Sequence, residues 1–295
     1  MRRAVALVTA RAARGLDEDM PPLLAAFAAA GAHAEIVDWD DETADWGRFD
    51  VALLRSAWDY TERHGEFLAW VERSAARTRL LNPPPVVRWN SDKHYLNALA
   101  GAGVPVVASE FIEPDEHDPA AVLARFIAAH AAEEFVVKPA VGAGARDTGR
   151  HPHAHPAGML EHMRPLLRAR RAVLVQPYLR SVDRDGETAL VYLDGAFSHA
   201  IRKGPLLPSG ARATQALFVP EEITARAPAQ DELAVAATAL EALPFGRLLY
   251  ARVDLIRDGQ GAPRLLELEL TEPSLYFAHG QGSAARLAAS VLGAL

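Results

Sequence analysis

Unbroken apolar runs alternate along the chain with stretches in which apolar positions recur every three or four residues, and that alternation predicts the order of elements. Residues 4–9 (AVALVT) form a compact apolar run suited to a central parallel strand. Residues 17–30 (DEDMPPLLAAFAAA) follow as a helix, with acids and prolines in the first turn and Gly31 after the end. Residues 33–39 and 50–54 predict two more strands, and residues 62–77 a second helix. Strand, helix and strand joined by short connectors predict a parallel sheet covered by helices. Asn82-Pro83-Pro84-Pro85 then reads as a boundary, because proline stops both helix and sheet.

Beyond that boundary the pattern changes. Residues 91–102 (SDKHYLNALAGA) predict a helix capped by Asn90 or Ser91, residues 104–106 and 110–112 look extended, and residues 120–132 are helical. Residues 134–139 (EFVVKP) form a strand that runs into the glycine-rich stretch 141–149 (VGAGARDTG). Strands are expected at 172–176, 188–192, 196–200, 250–256 and 264–270, and helices at 230–243 and 283–292. Asp194-Gly195 and residues 258–263 are hairpin turns. The expected class is α/β at the N-terminus and α+β afterwards, in three lobes: 1–90, 91–170 and 171–295. A chain of 295 residues is long enough for that division.

Candidate chemistry concentrates near the end. In LLELEL, Glu267 and Glu269 share one face of a strand while Leu266, Leu268 and Leu270 line the other. If the preceding turn closes symmetrically, Arg257 pairs with Arg264 and Asp254 falls opposite Glu267. Three carboxylates on one side of a hairpin repel one another unless a cation sits among them, and magnesium on nucleotide phosphates is the natural occupant. An amphipathic edge hairpin with a solvated acidic face is the plain alternative. Arg252 shares that face, where it either steadies a developing oxyanion or pairs with an acid. Lys138 closes a strand before exposed loop amides, which suits phosphate; alone, it and Lys93 would pass for surface lysines.

Bulk composition narrows the classes. Net charge is -7 with no long basic run, which argues against recruitment of nucleic acid or an anionic membrane. The absence of cysteine removes disulfides, thiolate catalysis and Cys-ligated metals, and suits a cytoplasmic protein. Residues 4–8 are too short for a signal peptide or a membrane span. G-x-x-x-x-G-K-[ST] and G-x-S-x-G are both absent. His151, His153 and His155 alternate with prolines and read as a solvated connector rather than a metal site. Ligands of open α/β sheets bind beyond the carboxyl ends of strands, so Arg55, Ser56, Trp58 and Tyr60 are candidate substrate contacts. The alternative there is a capped loop over a buried tryptophan. The segment 271–276, with Ser274, follows the acidic strand and is placed to touch substrate.

The succession SDKHYLNALAGAGVPV, EFVVKPAVGAGA, VLVQPYL, YARVDLI and LLELELTEPS resembles the ATP-grasp superfamily from Ser91 to the C-terminus, and the N-terminal sheet resembles that superfamily's preceding domain. The resemblance implies the ATP-grasp fold and transfer of the γ-phosphoryl group to a carboxylate, followed by nitrogen attack. It implies Lys93 and Lys138, with Gly142 and Gly144 of the loop, as holders of ATP phosphates, and Gln176, Pro177, Tyr178 and Leu179 as the adenine hinge. Glu187 would stand near ribose or substrate, Arg252 at the transferring group, and Asp254, Glu267 and Glu269 on one or two magnesium ions. Two departures stand out. Glu269 occupies a position that is commonly Asn, and Ala189 stands where relatives carry an arginine, leaving Arg202 and Lys203 as candidates for that charge. The VALVT, LDED, VDWDD and LLRSAWDY segments look most like the cyclo-ligases that close O-ureido-D-serine to D-cycloserine. An intermolecular amino-acid or dipeptide ligase, and a nucleotide-binding protein without turnover, are the alternatives. The expected partner is one small amino-acid-like molecule; a homodimer stays open.

Overall fold

A computed structural model describes residues 3–207, 216–217 and 221–295. The chain opens with β1 (Ala4–Thr9), α1 (Met20–Ala29), β2 (His33–Asp38), β3 (Val51–Ser56), α2 (His64–Ala75), β4 (Arg79–Leu81) and α3 (Pro84–Asn90). The strands are parallel in the order β2-β1-β3-β4. Strand alternation sends Val5, Leu7 and Leu53 to one face and Ala6, Val8, Ala52 and Leu54 to the other, and both faces are buried. That is why these strands read as unbroken apolar runs. The proline run does not simply stop the chain, as expected. Pro84 and Pro85 begin α3, since a first-turn residue has no N–H partner to lose and proline's fixed φ already suits a helix.

The middle of the chain carries α4 (Tyr95–Gly101), β5 (Glu110–Ile112), α5 (Pro119–Ala129), β6 (Glu134–Pro139), β7 (Gly149–Pro152), α6 (Pro156–Arg168) and β8 (Val173–Pro177). They build an antiparallel sheet ordered β5-β8-β6-β7, so this sheet extends past residue 171 to Pro177. Neither Asn90 nor Ser91 caps α4. Asn90 instead donates to Leu268 O (2.7 Å) and accepts from Leu270 N (2.6 Å), while Ser91 Oγ meets His64 Nε2 (2.8 Å). The histidine segment is more structured than a connector. His151 lies half-buried on β7 with its Nε2 2.9 Å from His162 Nδ1 of α6, whereas His153 and His155 are exposed. Met159, Met163 and Leu166 bury the inner side of α6.

The third part holds α7 (Ser181–Asp185), β9 (Glu187–Leu193), β10 (Ala196–Lys203), β11 (Ile223–Ala225), α8 (Gln230–Glu241), β12 (Tyr250–Arg257), β13 (Pro263–Glu269) and α9 (Ser283–Gly293). Its antiparallel sheet runs β11-β10-β9-β12-β13. The chain then returns, and α9 packs Leu287 and Val291 against Leu23 and Phe27 of α1, closing the first sheet. Among the described residues no helix is long and apolar enough to cross a membrane.

The β12–β13 hairpin pairs Asp254 with Glu267 as expected, but its turn does not close symmetrically. Arg257 pairs with Pro263 and Ile256 with Arg264, and a bulge between Asp254 and Leu255 absorbs the extra residue. The bulge moves Leu266 off the core face: Leu265, Leu268 and Leu270 enter the core, while Leu266 packs beside Val107, Tyr178 and Ile256. A bulge re-aims side chains in this way by setting two residues opposite one.

Candidate active site

A cavity of about 210 Å³ lies where β6, β8, β9, β12 and β13 meet the end of β3. Its inner end is apolar, formed by Val107, Val136, Tyr178, Leu179, Ile256 and Leu266. Gln176 and Pro177 line the same end, and Gln176 Nε2 donates to Ser109 Oγ at 2.9 Å. An apolar slot suits an aromatic base.

Next come the lysines. Lys93 Nζ meets Glu267 Oε1 at 2.7 Å and donates to Gly142 O at 2.6 Å. Its ammonium is held above the usual range because the Glu267 carboxylate outweighs burial, which pulls the other way. Lys138 has no ion pair among the described residues. Burial lowers its pKa, with Lys93 and Lys203 adding repulsion. Gly142, Ala143, Gly144, Ala145 and Thr148 of the loop line the cavity around these cations. Gly144, Ala145 and Asp147 all have positive φ (62°, 60° and 55°), a run of left-handed backbone that curls the loop over the lysines.

A half-buried ammonium without an ion pair is expected to take a ligand as its counter-ion. Lys138→Ala should therefore weaken nucleotide binding by about ten- to a hundredfold, the value of one charge-assisted contact. Its Tm should stay the same or rise. Calorimetric titration beside a melting curve checks this; unchanged affinity would return Lys138 to a purely structural role.

Beyond the lysines the acids and their cations interlock. Lys203 meets Asp254 at 2.7 Å and Glu187 at 2.9 Å. Arg252 holds both Asp254 oxygens at 2.9 Å, pairs with Glu269 and donates to Ser274 O at 3.0 Å. Against the burial that opposes it, Arg252 and Lys203 bring Asp254 down to about 2. Burial and the charges of Asp254 and Glu267 raise Glu269 to about 7. Gly186 sets up this corner, because at φ +70° any Cβ would stand 2.4 Å from Lys203 O.

Several expected site residues sit elsewhere. Alternation along β10 puts Lys203 inward, while Arg202 turns away to Asp185 O (3.0 Å) and Glu222 (3.5 Å) and lines no part of the cavity. Asp254 is fully buried behind Arg252 and Lys203 rather than on the wall. Arg55 and Ser56 are buried too. Arg55 meets Asp19 (3.4 Å) and donates to Pro273 O (3.0 Å), and Ser56 bonds Thr9. The Asp19 carboxylate accepts from the Leu275, Tyr276 and Phe277 amides. Arg55 and Asp19 thus fasten the loop after β13 instead of touching substrate.

Trp58, Tyr60 and Ser274 do line the cavity, Glu272 and Tyr276 of the segment 271–276 line it with them, and Glu221 is the wall residue that sequence reasoning passed over. Trp58 Nε1 donates to Glu272 O (3.2 Å), the Tyr60 hydroxyl hydrogen-bonds the Glu272 carboxyl, and Tyr276 Oη donates to Glu221 (2.8 Å). Burial, then the charge of Glu269, pushes Glu272 up to about 8. The sequence offered one weak signal, an acid before proline just past an acidic strand.

Among the described residues no three acidic or histidine side chains stand grouped as a ready metal site, because each acid of the hairpin is engaged by a cation. The donor set nonetheless fits a hard divalent ion. Glu267 and Glu269 are oxygen donors on the cavity wall, and the raised Glu269 marks negative charge that a cation would relieve.

Residues 5–82 match the family described as D-cycloserine synthetase DcsG, N-terminal domain. Over 293 residues the chain is 43% identical to the cycloserine biosynthesis protein DcsG of Streptomyces lavendulae, covering 96% of each. The crystal structure of D-cycloserine synthetase DcsG superposes with a TM-score of 0.93 at 41% identity, over 99% of both chains. A D-alanine–D-alanine ligase from Bacillus anthracis shares the fold at a TM-score of 0.69 and 14% identity, covering 99% of this chain and 96% of that one.

Proposed function

We propose, from the premise that this chain belongs to the D-cycloserine synthetase family of ATP-grasp ligases, that it activates the carboxylate of O-ureido-D-serine with ATP and closes it to D-cycloserine. The observation that carries this reading is the combination of groups within one cavity. One cavity is lined by an apolar slot, two lysines with a curled loop, acids interlocked with Arg252, and a small polar group of Trp58, Tyr60, Glu272, Ser274 and Tyr276. That set of groups matches a base, phosphates, a transferring phosphoryl group and an acceptor.

Lys93, Lys138 and the loop amides hold the phosphates. Glu267 and Glu269, on the cavity wall, would hold magnesium, which would supply charge neutralisation for the phosphates. Arg252 faces the point where negative charge builds on the transferring group and then on the acyl carbon, and its own charge is secured by Asp254. The substrate carboxylate oxygen takes the γ-phosphoryl group and ADP leaves. The ureido nitrogen attached to oxygen then attacks the acyl carbon, phosphate departs, and a five-membered ring closes. Water removes the carbamoyl group as carbon dioxide and ammonia. Positioning of one molecule against ATP supplies most of the rate.

A cavity that closes a ring needs one organic substrate. Incubation with ATP, magnesium and O-ureido-D-serine should release one phosphate per cyclic product without added amine. Phosphate release that demands a second amino acid would make the protein an intermolecular ligase. No phosphate release with any substrate tried would leave a nucleotide-binding protein without turnover.

A further inference from the structure

We propose that Glu272 is the subsite for the substrate's α-ammonium, and so selects amino acids over their des-amino counterparts; this deepens the proposed function and rests on it. The inference begins with a census of the carboxyls lining the cavity. Glu187 pairs with Lys203, Glu267 with Lys93, and Glu269 with Arg252. Glu272 and Glu221 have no ion pair among the described residues, and of these Glu272 is the more buried. Its hydrogen-bonding neighbour is the neutral Tyr60 hydroxyl.

Burying a carboxyl without a counter-ion is unfavourable, and a side chain free to do so would turn to water. Glu272 is not free to turn. Trp58 holds its carbonyl, Arg55 holds the next one at Pro273, and Asp19 gathers the three amides of residues 275–277. The acid is therefore presented to the cavity by a fixed backbone, and a cation arriving from solution completes it. Location narrows the class of cation. Glu272 lines the cavity with Trp58, Tyr60, Ser274 and Tyr276, and Lys93, whose charge reaches it, is already committed to Glu267 and Gly142 O. Glu269, the charge that acts most on Glu272, is itself bound to Arg252. A cation subsite thus adjoins an anion subsite, matching an ammonium and a carboxylate on one carbon. A site built around a buried polar group rejects a ligand lacking the partner, because the group is then left unpaired.

The test is calorimetric titration of the full chain with magnesium and a non-hydrolysable ATP analogue. The ligands are O-ureido-D-serine and the same molecule with hydrogen in place of the amine. Wild type should bind the amine-bearing ligand about tenfold or more tightly, the value of one charge-assisted contact. Glu272→Gln, which keeps shape and the Tyr60 hydrogen bond, should weaken O-ureido-D-serine by a similar factor. It should bind the two ligands within about twofold of each other and leave affinity for the ATP analogue unchanged. A variant that still discriminates, or that loses nucleotide affinity equally, overturns the subsite. So does a fall in kcat with affinity and discrimination intact, since Glu272 would then move a proton. If wild type binds neither ligand, D-alanine and propionate are titrated in their place. Glu272-dependent preference for D-alanine upholds the subsite while the O-ureido-D-serine reading fails; no preference overturns both.

Discussion

Glu267→Gln should lower magnesium-dependent turnover by about 10²–10³-fold, the scale of losing one preorganised electrostatic contact at a reacting phosphoryl group. Glu267 stands on the cavity wall, and the Lys93 and Lys138 charges hold its carboxyl below the usual range despite burial. It is therefore an anion at neutral pH, ready to exchange its lysine for a divalent ion. The amide keeps the size and a hydrogen bond to Lys93, and Lys93 retains Gly142 O. With the Glu267 side chain 25% exposed, solvent screens the lost charge and the fold should melt close to wild type. Steady-state rates across a magnesium titration, beside a melting curve, check both halves. Near-normal magnesium-dependent turnover would remove Glu267 from the metal set.

Asp254→Asn should lose both activity and stability, and that pairing distinguishes it from Glu267→Gln. Its carboxylate is 0% exposed and engaged by two cations. Deleting the charge leaves Lys203 and Arg252 facing each other with one acid apiece, Glu187 and Glu269. Breaking a buried ionic cluster from one side costs about 3–5 kcal/mol. Arg252 would also lose its aim at the transferring group. The pH dependence has a definite sign. The folded pKa of about 2 lies below an unfolded value of about 3.9, so this contribution is complete above about pH 4 and is lost as pH falls toward 2. The variant lacks that contribution, and its unfolding free energy should fall less steeply with acid than that of wild type. Equal stability of variant and wild type at pH 7 would show that Asp254 is not the keystone of the cluster.

Much of the site was legible before the fold was known, for local reasons. Alternation along a strand needs no tertiary information, so Glu267 and Glu269 on one face of their strand, with Arg252 and Asp254 on the same side of the hairpin, followed from sequence; the facing of Asp254 with Glu267 holds too, although by way of a bulge rather than a symmetric turn. Lys138 at the end of β6 and the glycine-rich turn after it are likewise local. Their succession carried the resemblance that the relatives then bore out at the level of the family.

Other features depended on what packs against what. Arg202 and Lys203 are neighbours of like charge, and alternation says that one faces the cavity without saying which; the docking of β10 against β9 and β11 decides for Lys203. Arg55 ends a strand as a substrate contact would, yet the loop after β13 closes over it and turns it into a fastening. Leu266 alternates as a core residue until the bulge shifts it into the base slot. Glu272 gains its meaning from Trp58 and Tyr60, more than two hundred positions earlier in the chain. The sequence by itself determined which groups could carry charge and on which strand face they lie, because a side chain's identity and a strand's two-residue repeat are both local. Which charges are neutralised, which are sealed from water and which are left for a ligand was decided by tertiary packing, because burial and counter-ions come from segments far apart in the chain.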